Sequence, residues 1–128
     1  MKQVARVGRV GIVGLGYVGL TLAVALARAG CTVFGADRAA HVVAALRAGR
    51  PHIFEPGLEE GLQAFLGDRL HVADALPEGT SNPLDAVVLC VSTPVDAGTH
   101  APDLEGLRAA ARAVAERCAP EKIGRAHV

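Results

Sequence analysis

The sequence predicts an α/β protein built around a parallel sheet, and three observations support this prediction. Short apolar runs alternate with longer segments whose apolar residues recur at helical spacing. Glycines and prolines separate these segments where tight turns are needed. Apolar residues make up 51% of the 128 residues and aromatic residues only 3%, so we expect a core of alanine, valine and leucine. The length suits a single domain.

Eight segments follow from these patterns. Strands are predicted over residues 7–13, 32–37, 70–73 and 86–91, and helices over 17–29, 39–48, 57–66 and 103–118. The unbroken apolar run at 86–91 is typical of a strand covered on both faces. Residues 76–83 are rich in proline, glycine and small polar residues and predict a loop. Because parallel strands need crossover connections, the order of elements indicates a parallel sheet with helical crossovers.

Charge and composition exclude several classes of function. The chain has 13 basic and 13 acidic residues, which argues against nucleic acid as a partner. The five histidines are scattered, and Cys31, Cys90 and Cys118 lack the spacing of a zinc site or a disulfide framework. We therefore expect no metal site and interpret the cysteines as small buried apolar residues.

The first third of the chain also raises the question of a membrane segment. No charged residue lies between Arg9 and Arg28, which superficially resembles a signal peptide or a membrane span. Clustered glycines in this stretch would weaken a single long helix. The stretch also divides into two parts with different periodicity, so we expect no membrane partner and a cytoplasmic location.

The central motif is a glycine-rich turn between the first strand and the first helix. Its sequence is Gly14-Leu15-Gly16-Tyr17-Val18-Gly19, which fits G-x-G-x-x-G in the required context. Gly14 permits the tight turn, Gly16 leaves room for a pyrophosphate, and Gly19 allows close packing of helix on sheet. Amides at the helix start then point at the phosphates. The motif predicts a Rossmann-type, doubly wound sheet that binds a dinucleotide.

An acidic residue at the end of the second predicted strand supports this interpretation. Asp37 follows Gly19 by 18 residues and is suited to accept hydrogen bonds from the adenosine ribose hydroxyls. Its charge would repel a 2′-phosphate, so NAD is favoured over NADP, although the neighbouring Arg38 weakens that inference. The alternative is that Asp37 only caps the following helix.

Three segments together make the chain resemble one family more closely than the glycine-rich turn does alone. These are the glycine-rich turn itself, Pro51-His52-Ile53-Phe54-Glu55-Pro56-Gly57-Leu58, and Val91-Ser92-Thr93-Pro94 followed by Pro102-Asp103-Leu104. In this order the chain resembles the UDP-glucose/GDP-mannose dehydrogenase family over residues 7–120. The resemblance implies oxidation of a sugar C6 alcohol to a carboxylate with two NAD molecules.

The resemblance also assigns cofactor contacts. It implies that NAD is bound by the amides of Tyr17 and Val18 and by the side chains of Asp37 and Thr93. From turn chemistry alone, Thr93 could equally form a local turn before Pro94. Glu55 is expected to have a structural role at the start of the following helix. His52 and the 100–103 run look more similar to the branch that acts on UDP-N-acetylmannosamine than to UDP-glucose enzymes.

Family members use a cysteine nucleophile, a lysine and an asparagine far downstream of this segment. The resemblance therefore implies that none of the three cysteines is catalytic, and that the chain holds no catalytic residue. We expect residues 1–122 to form an NAD-binding Rossmann domain that is incomplete at its C-terminal side. The intact parent is expected to be a homo-oligomer that takes a nucleotide-sugar substrate.

Two points remain open from the residues alone. Another Rossmann dehydrogenase, of hydroxyacyl or phosphogluconate type, or a non-enzymatic nucleotide-sensing module would also use the glycine-rich turn and Asp37. Residues 123–128 continue no upstream pattern, and their codons can be written as a common sequencing-library adapter. We expect them to be a cloning scar rather than native sequence.

Overall fold

The structure is a computed structural model that describes residues 8–78 and 83–117. Its four strands are β1 (Arg9–Val13), β2 (Thr32–Ala36), β3 (Leu70–Ala73) and β4 (Ala86–Leu89). Its four helices are α1 (Tyr17–Arg28), α2 (Ala40–Arg47), α3 (Leu58–Phe65) and α4 (Glu105–Arg117). Cys118, the expected boundary at residue 122 and the expected scar at 123–128 lie outside the described residues.

The four strands form one parallel sheet in the order β3-β2-β1-β4. β1 lies in the centre and pairs with β2 on one side, where Val13 is opposite Ala36, and with β4 on the other, where Val13 is opposite Leu89. All the strands therefore end at the same edge of the sheet. This arrangement confirms the predicted α/β class and its parallel sheet.

One face of the sheet carries the main core. Alternate strand residues such as Ile12, Val33 and Leu70 point toward the helices and are fully buried. Leu20 of α1 and Leu62 of α3 close this layer and are also fully buried. Burial of apolar side chains at this helix–sheet interface supplies the main stabilisation of the fold.

The opposite face is covered by α4 and the segment after β3. Leu76, Val87 and Val114 form a second, smaller cluster there. A Cβ on Gly11 would come within 2.9 Å of Leu84 and 3.1 Å of Leu76, so the glycine in β1 lets this segment pack directly on the sheet. The described parts of the predicted loop 76–83 contain no helix, as expected.

The ends of most predicted elements shift by one or two residues, and the shifts of β4 and α4 concern segments beside the cavity. β4 ends at Leu89 rather than at residue 91, and Ala86 is exposed while Val88 and Leu89 are half-buried. The prediction of full cover on both faces was therefore wrong, since Val87 is the one buried residue of β4, and β4 has a neighbouring strand on one side only in the described sheet. α4 begins at Glu105, and its first turn is capped by Asp103, whose carboxylate accepts a hydrogen bond from the Glu105 amide at 3.0 Å.

The stretch without charges in the first third of the chain forms β1, the glycine-rich turn and most of α1. Within the two described ranges, no helix is both long and apolar enough to cross a membrane.

Candidate functional site

The glycine-rich turn is held tightly between β1, β2 and β4. Gly14 has a φ of 98°, a conformation that favours glycine, and its amide donates to the Ala36 carbonyl at 2.8 Å. A Cβ on Gly14 would lie 2.5 Å from the carbonyl oxygen of Cys90. A Cβ on Gly19 would collide with the carbonyl oxygen of Gly14, so α1 approaches the strand more closely than any other residue would allow.

Gly16 differs from the other two glycines because a Cβ there would meet no atom within 4 Å. Its φ of −75° is one that any residue adopts, so the backbone does not require a glycine. Gly16 is the N-cap of α1, and no side chain caps this helix. In the described part of the chain, no protein group accepts a hydrogen bond from the Tyr17 or Val18 amide. This leaves open space in front of two free amides at a helix N-terminus.

Asp37 lies where β2 ends and is half-buried. Its Oδ2 accepts a hydrogen bond from the Leu15 amide at 2.9 Å, and its Oδ1 accepts one from the Ala39 amide at 2.9 Å. The second bond caps the start of α2, so the capping alternative is part of what Asp37 does. The first bond shows that the same carboxylate also holds the glycine-rich turn. A carboxylate oxygen can accept more than one hydrogen bond, so both oxygens retain capacity for ribose hydroxyls.

A cavity of about 680 Å³ opens at the carboxyl ends of the strands and brings most of the predicted site residues together. Gly14, Gly16, Tyr17, Val18 and Asp37 all line it. Thr93 is exposed and is not among the lining residues, whereas the adjacent Ser92 is. The contact of Thr93 with a cofactor stays a prediction.

Several parts of this site were not predicted from the sequence. Leu15, the first variable residue of the turn, is fully buried and packs against Gly35 of β2, where a Cβ would come within 2.9 Å of it. α4 presents small residues to the cavity, namely Gly106, Ala109, Ala110 and Ala113. Their spacing of three and four residues is that of one helix face, and this periodicity was available in the sequence.

Cys90 lies on the cavity wall just after β4, and Cys31 is half-buried at the edge of the core. Partial burial raises the pKa of the Cys90 thiol, so its reactive thiolate form is disfavoured. Both cysteines pack against the main core, but they are half-buried rather than buried as predicted. Within residues 8–78 and 83–117, no group of three His, Cys, Asp or Glu side chains is placed to hold a metal ion.

The site fits a dinucleotide on its own geometry. Phosphates are bound well by free amides at a helix N-terminus, and no protein atom lies within 4 Å of where a Cβ on Gly16 would be. The Asp37 carboxylate, at the end of the neighbouring strand, lines the same cavity, as the ribose-binding acid of a dinucleotide site does. The residues that α4 contributes to the lining are mostly glycine and alanine.

Comparison with known proteins agrees with this geometry. Residues 8–123 match the UDP-glucose/GDP-mannose dehydrogenase family, NAD binding domain. The chain is 33% identical over 108 residues to a UDP-N-acetyl-D-mannosamine dehydrogenase of Campylobacter jejuni, covering 84% of this chain and 26% of the relative. It is 37% identical over 109 residues to a UDP-glucose 6-dehydrogenase of Haloferax volcanii, covering 84% of this chain and 24% of the relative.

Solved structures give the same result. The chain is similar to a UDP-glucose dehydrogenase from Pyrobaculum islandicum, with a TM-score of 0.74 and 38% identity over 89% of this chain and 26% of that protein. It is also similar to a UDP-N-acetyl-mannosamine dehydrogenase from Staphylococcus aureus, with a TM-score of 0.77 and 28% identity over 85% of this chain and 26% of that protein. The chain thus spans about a quarter of the length of its relatives. The chain belongs to the UDP-glucose/GDP-mannose dehydrogenase family, of which it carries the NAD-binding domain.

Proposed function

We propose that the protein to which this chain belongs oxidises an alcohol of a nucleotide sugar, and that this chain holds the NAD that serves the reaction. When bound, NAD supplies a hydride acceptor. The observation that carries the proposal is the open space beyond Gly16, bordered by two free helix-start amides and by the Asp37 carboxylate. The relatives named for UDP-N-acetyl-D-mannosamine and for UDP-glucose support a UDP-sugar substrate. A cytoplasmic location and a homo-oligomeric parent stay predictions.

The cofactor-binding roles follow from the position of each residue. Gly14 and Gly19 shape the turn, and Gly16 leaves space for the pyrophosphate, which the amides of Tyr17 and Val18 bind. Asp37 accepts hydrogen bonds from the adenosine ribose and disfavours a 2′-phosphate by charge repulsion. Thr93 is adjacent in sequence to the lining residue Ser92, which supports a contact of its hydroxyl with the cofactor.

Two alanine substitutions separate cofactor binding from folding. In Gly16→Ala, the methyl group meets no protein atom but fills space that a phosphate needs. We expect the free energy of unfolding to change by no more than about 1 kcal/mol, while NAD affinity, measured by calorimetry on the 128-residue chain, falls at least about tenfold. In Gly19→Ala, the new Cβ collides with the Gly14 carbonyl, so we expect loss of more than about 2 kcal/mol of stability. Undiminished NAD binding by Gly16→Ala would contradict the proposed pyrophosphate site.

A turnover assay tests whether this chain binds the cofactor while the catalytic residues lie in the rest of the protein. We expect the 128-residue chain, mixed with NAD and UDP-glucose or UDP-N-acetylmannosamine, to release no NADH. The product of the full-length gene should release NADH with one of these sugars. NADH release by the 128-residue chain alone would show that catalytic residues lie within it.

A further inference from the structure

Tyr17 and Glu55 form a contact that the cofactor-binding roles above do not explain. The phenol of Tyr17 donates a hydrogen bond to Oε1 of Glu55 at 3.2 Å, across 38 residues of sequence. Tyr17 is the first residue of α1 and lines the cavity, and 55% of its surface is exposed. Glu55 belongs to the Glu55-Pro56-Gly57-Leu58 segment that leads into α3. The contact therefore joins the two most distinctive motifs of the sequence at the cavity mouth.

The backbone around Glu55 is fixed relative to α1. The Glu55 carbonyl accepts a hydrogen bond from the Leu58 amide at 3.1 Å, around Gly57 with its φ of 82°. Leu58 is buried in the main core. α3 packs so closely on α1 that a Cβ on Gly61 would lie 2.5 Å from Val24. The carboxylate of Glu55 thus extends from a rigid turn toward the start of α1.

A half-exposed tyrosine at a binding site carries an entropic cost. Without a partner, its side chain samples several rotamers, and ligand binding has to select one of them. A hydrogen bond that selects the rotamer beforehand lowers that cost. We propose that Glu55 is a positioning residue for NAD binding, because its carboxylate holds the Tyr17 side chain as a fixed wall of the cofactor cavity. This inference rests on the proposed NAD site.

The chain contains a natural probe of this contact. Tyr17 is its only tyrosine, and it has no tryptophan. The hydrogen bond to Glu55, followed by the negative charge of Glu55, raises the pKa of Tyr17 above its ordinary value. Ultraviolet absorbance of tyrosinate during an alkaline titration therefore reports the state of this one pair. Asp37, Arg38 and Asp74, the charged side chains on the cavity wall, are the same in all the variants below.

The test compares Glu55→Ala, Glu55→Gln and Tyr17→Phe with the unchanged 128-residue chain. Glu60→Gln is the matched control, because Glu60 is an exposed carboxylate on α3 that does not line the cavity. We expect the Tyr17 pKa to fall toward about 10 in Glu55→Ala and to stay raised in Glu60→Gln. NAD affinity should fall about two- to tenfold in Glu55→Ala and in Tyr17→Phe. It should be largely retained in Glu55→Gln, whose amide oxygen still accepts the phenol proton.

The double variant Tyr17→Phe/Glu55→Ala separates positioning from two unrelated effects. If the two side chains act as one unit, it should bind NAD no more weakly than the worse single variant. If the double variant loses NAD affinity by the product of the two single losses, the inference is contradicted. Unchanged NAD affinity in Glu55→Ala would also contradict it. If Tyr17 titrates identically in the unchanged chain and in Glu55→Ala, the pair does not form and the inference fails. If the unchanged chain binds no NAD, the proposed function fails too, and the titration still shows whether the pair exists.

Discussion

Asp37 illustrates at the scale of one residue how the protein itself holds a proposed cofactor contact in place. Its two oxygens accept hydrogen bonds from the Leu15 and Ala39 amides. Hydrogen bonds from neutral amides to a carboxylate are stronger than those between neutral groups. The carboxylate is therefore held in place before a ribose arrives, and the glycine-rich turn is held by the carboxylate. In the proposed function, discrimination between NAD and NADP depends on the same charge.

The substitution Asp37→Asn tests both roles. Asparagine keeps one acceptor oxygen, so the Leu15 and Ala39 amides cannot both retain their bonds to separate oxygens. We expect NAD affinity to fall by about tenfold and the preference for NAD over NADP to shrink, because the repelling charge is lost. Calorimetry measures the two affinities, and hydrogen exchange should be faster at one of the two amides.

Asp74→Asn serves as the control for Asp37→Asn. Asp74 is also a carboxylate on the cavity wall, but it is exposed and accepts no hydrogen bond from the Leu15 or Ala39 amide. Exchange at these two amides should be unchanged in this variant. If Asp37→Asn keeps the full preference for NAD, charge repulsion by Asp37 is not what excludes NADP.

At the scale of elements, the packing of α3 on α1 sets the position of the Glu55–Leu58 segment. Gly61 faces α1, where a Cβ would come within 2.5 Å of Val24 and 2.8 Å of Arg28. Close-packed interiors do not absorb an added methyl group without movement of the backbone or of side chains. The two helices are thus in contact because one of them carries a glycine at this point.

The substitution Gly61→Ala should force α3 away from α1. We expect the free energy of unfolding, measured with urea, to fall by about 1–3 kcal/mol, although alanine is the better helix former. Ala64→Ser, at an exposed position of the same helix, should change it by no more than about 0.5 kcal/mol. If the two substitutions change the free energy of unfolding equally, the helices accommodate a methyl group at Gly61 without loss of stability.

The loop between β4 and α4 is organised by Asp96. Its Oδ1 accepts hydrogen bonds from the Gly98 amide at 2.7 Å and the Thr99 amide at 3.0 Å. The Asp96 amide donates to the Ala101 carbonyl at 2.8 Å, which closes the loop on itself. The Thr99 amide chiefly, and the Gly98 amide next, lower the pKa of Asp96. The carboxylate of Asp96 thus stabilises the loop that also contains Thr93.

This lowered pKa predicts how the loop responds to acid. A carboxyl group with a lower pKa in the folded state stabilises that state above its unfolded pKa, about 3.9. The contribution is lost as the pH falls below that value and through the lowered pKa of the folded state. Hydrogen exchange at the Gly98 and Thr99 amides should therefore gain speed, beyond its intrinsic pH dependence, over this acidic range. Asp96→Asn should remove the extra pH dependence, and its persistence would point to another group.

At the scale of the whole molecule, the carboxyl ends of the four described strands, the start of α1 and one face of α4 line the cavity. A ligand that bridges these elements binds the folded chain and not the unfolded one. Such a ligand raises the free energy of unfolding by about 2.7 kcal/mol at one hundred times its dissociation constant. We therefore expect a cofactor bound in this cavity to stabilise the entire sheet.

Thermal unfolding with and without NAD measures this coupling. We expect the midpoint to rise with NAD concentration and to rise less with NADP at the same concentration. In Gly16→Ala the shift with NAD should be much smaller, while the midpoint without ligand stays close to that of the unchanged chain. An equal shift in Gly16→Ala would place the bound NAD elsewhere.

The family assignment also separates the chain from the other classes that the sequence left open. A hydroxyacyl or phosphogluconate dehydrogenase and a nucleotide-sensing module share the glycine-rich turn and the acidic residue. The match over residues 8–123 and the solved relatives place the chain among the UDP-glucose/GDP-mannose dehydrogenases. The segment that distinguished them in the sequence, 51–58, is also the one whose Glu55 accepts a hydrogen bond from the cavity-lining Tyr17.

The sequence by itself determined the order of the elements, the parallel sheet, the glycine-rich turn and the acidic residue at the end of β2. These features depend on local periodicity and on glycines at fixed spacing, which a linear reading detects. Only the tertiary structure decided the hydrogen bonds from the Leu15 amide to Asp37 and from Tyr17 to Glu55, the glycine contact between α1 and α3, and the edge position of β4. Each contact joins groups that lie far apart in sequence, and the position of β4 depends on which strands pair. No local pattern of residues specifies which distant groups meet.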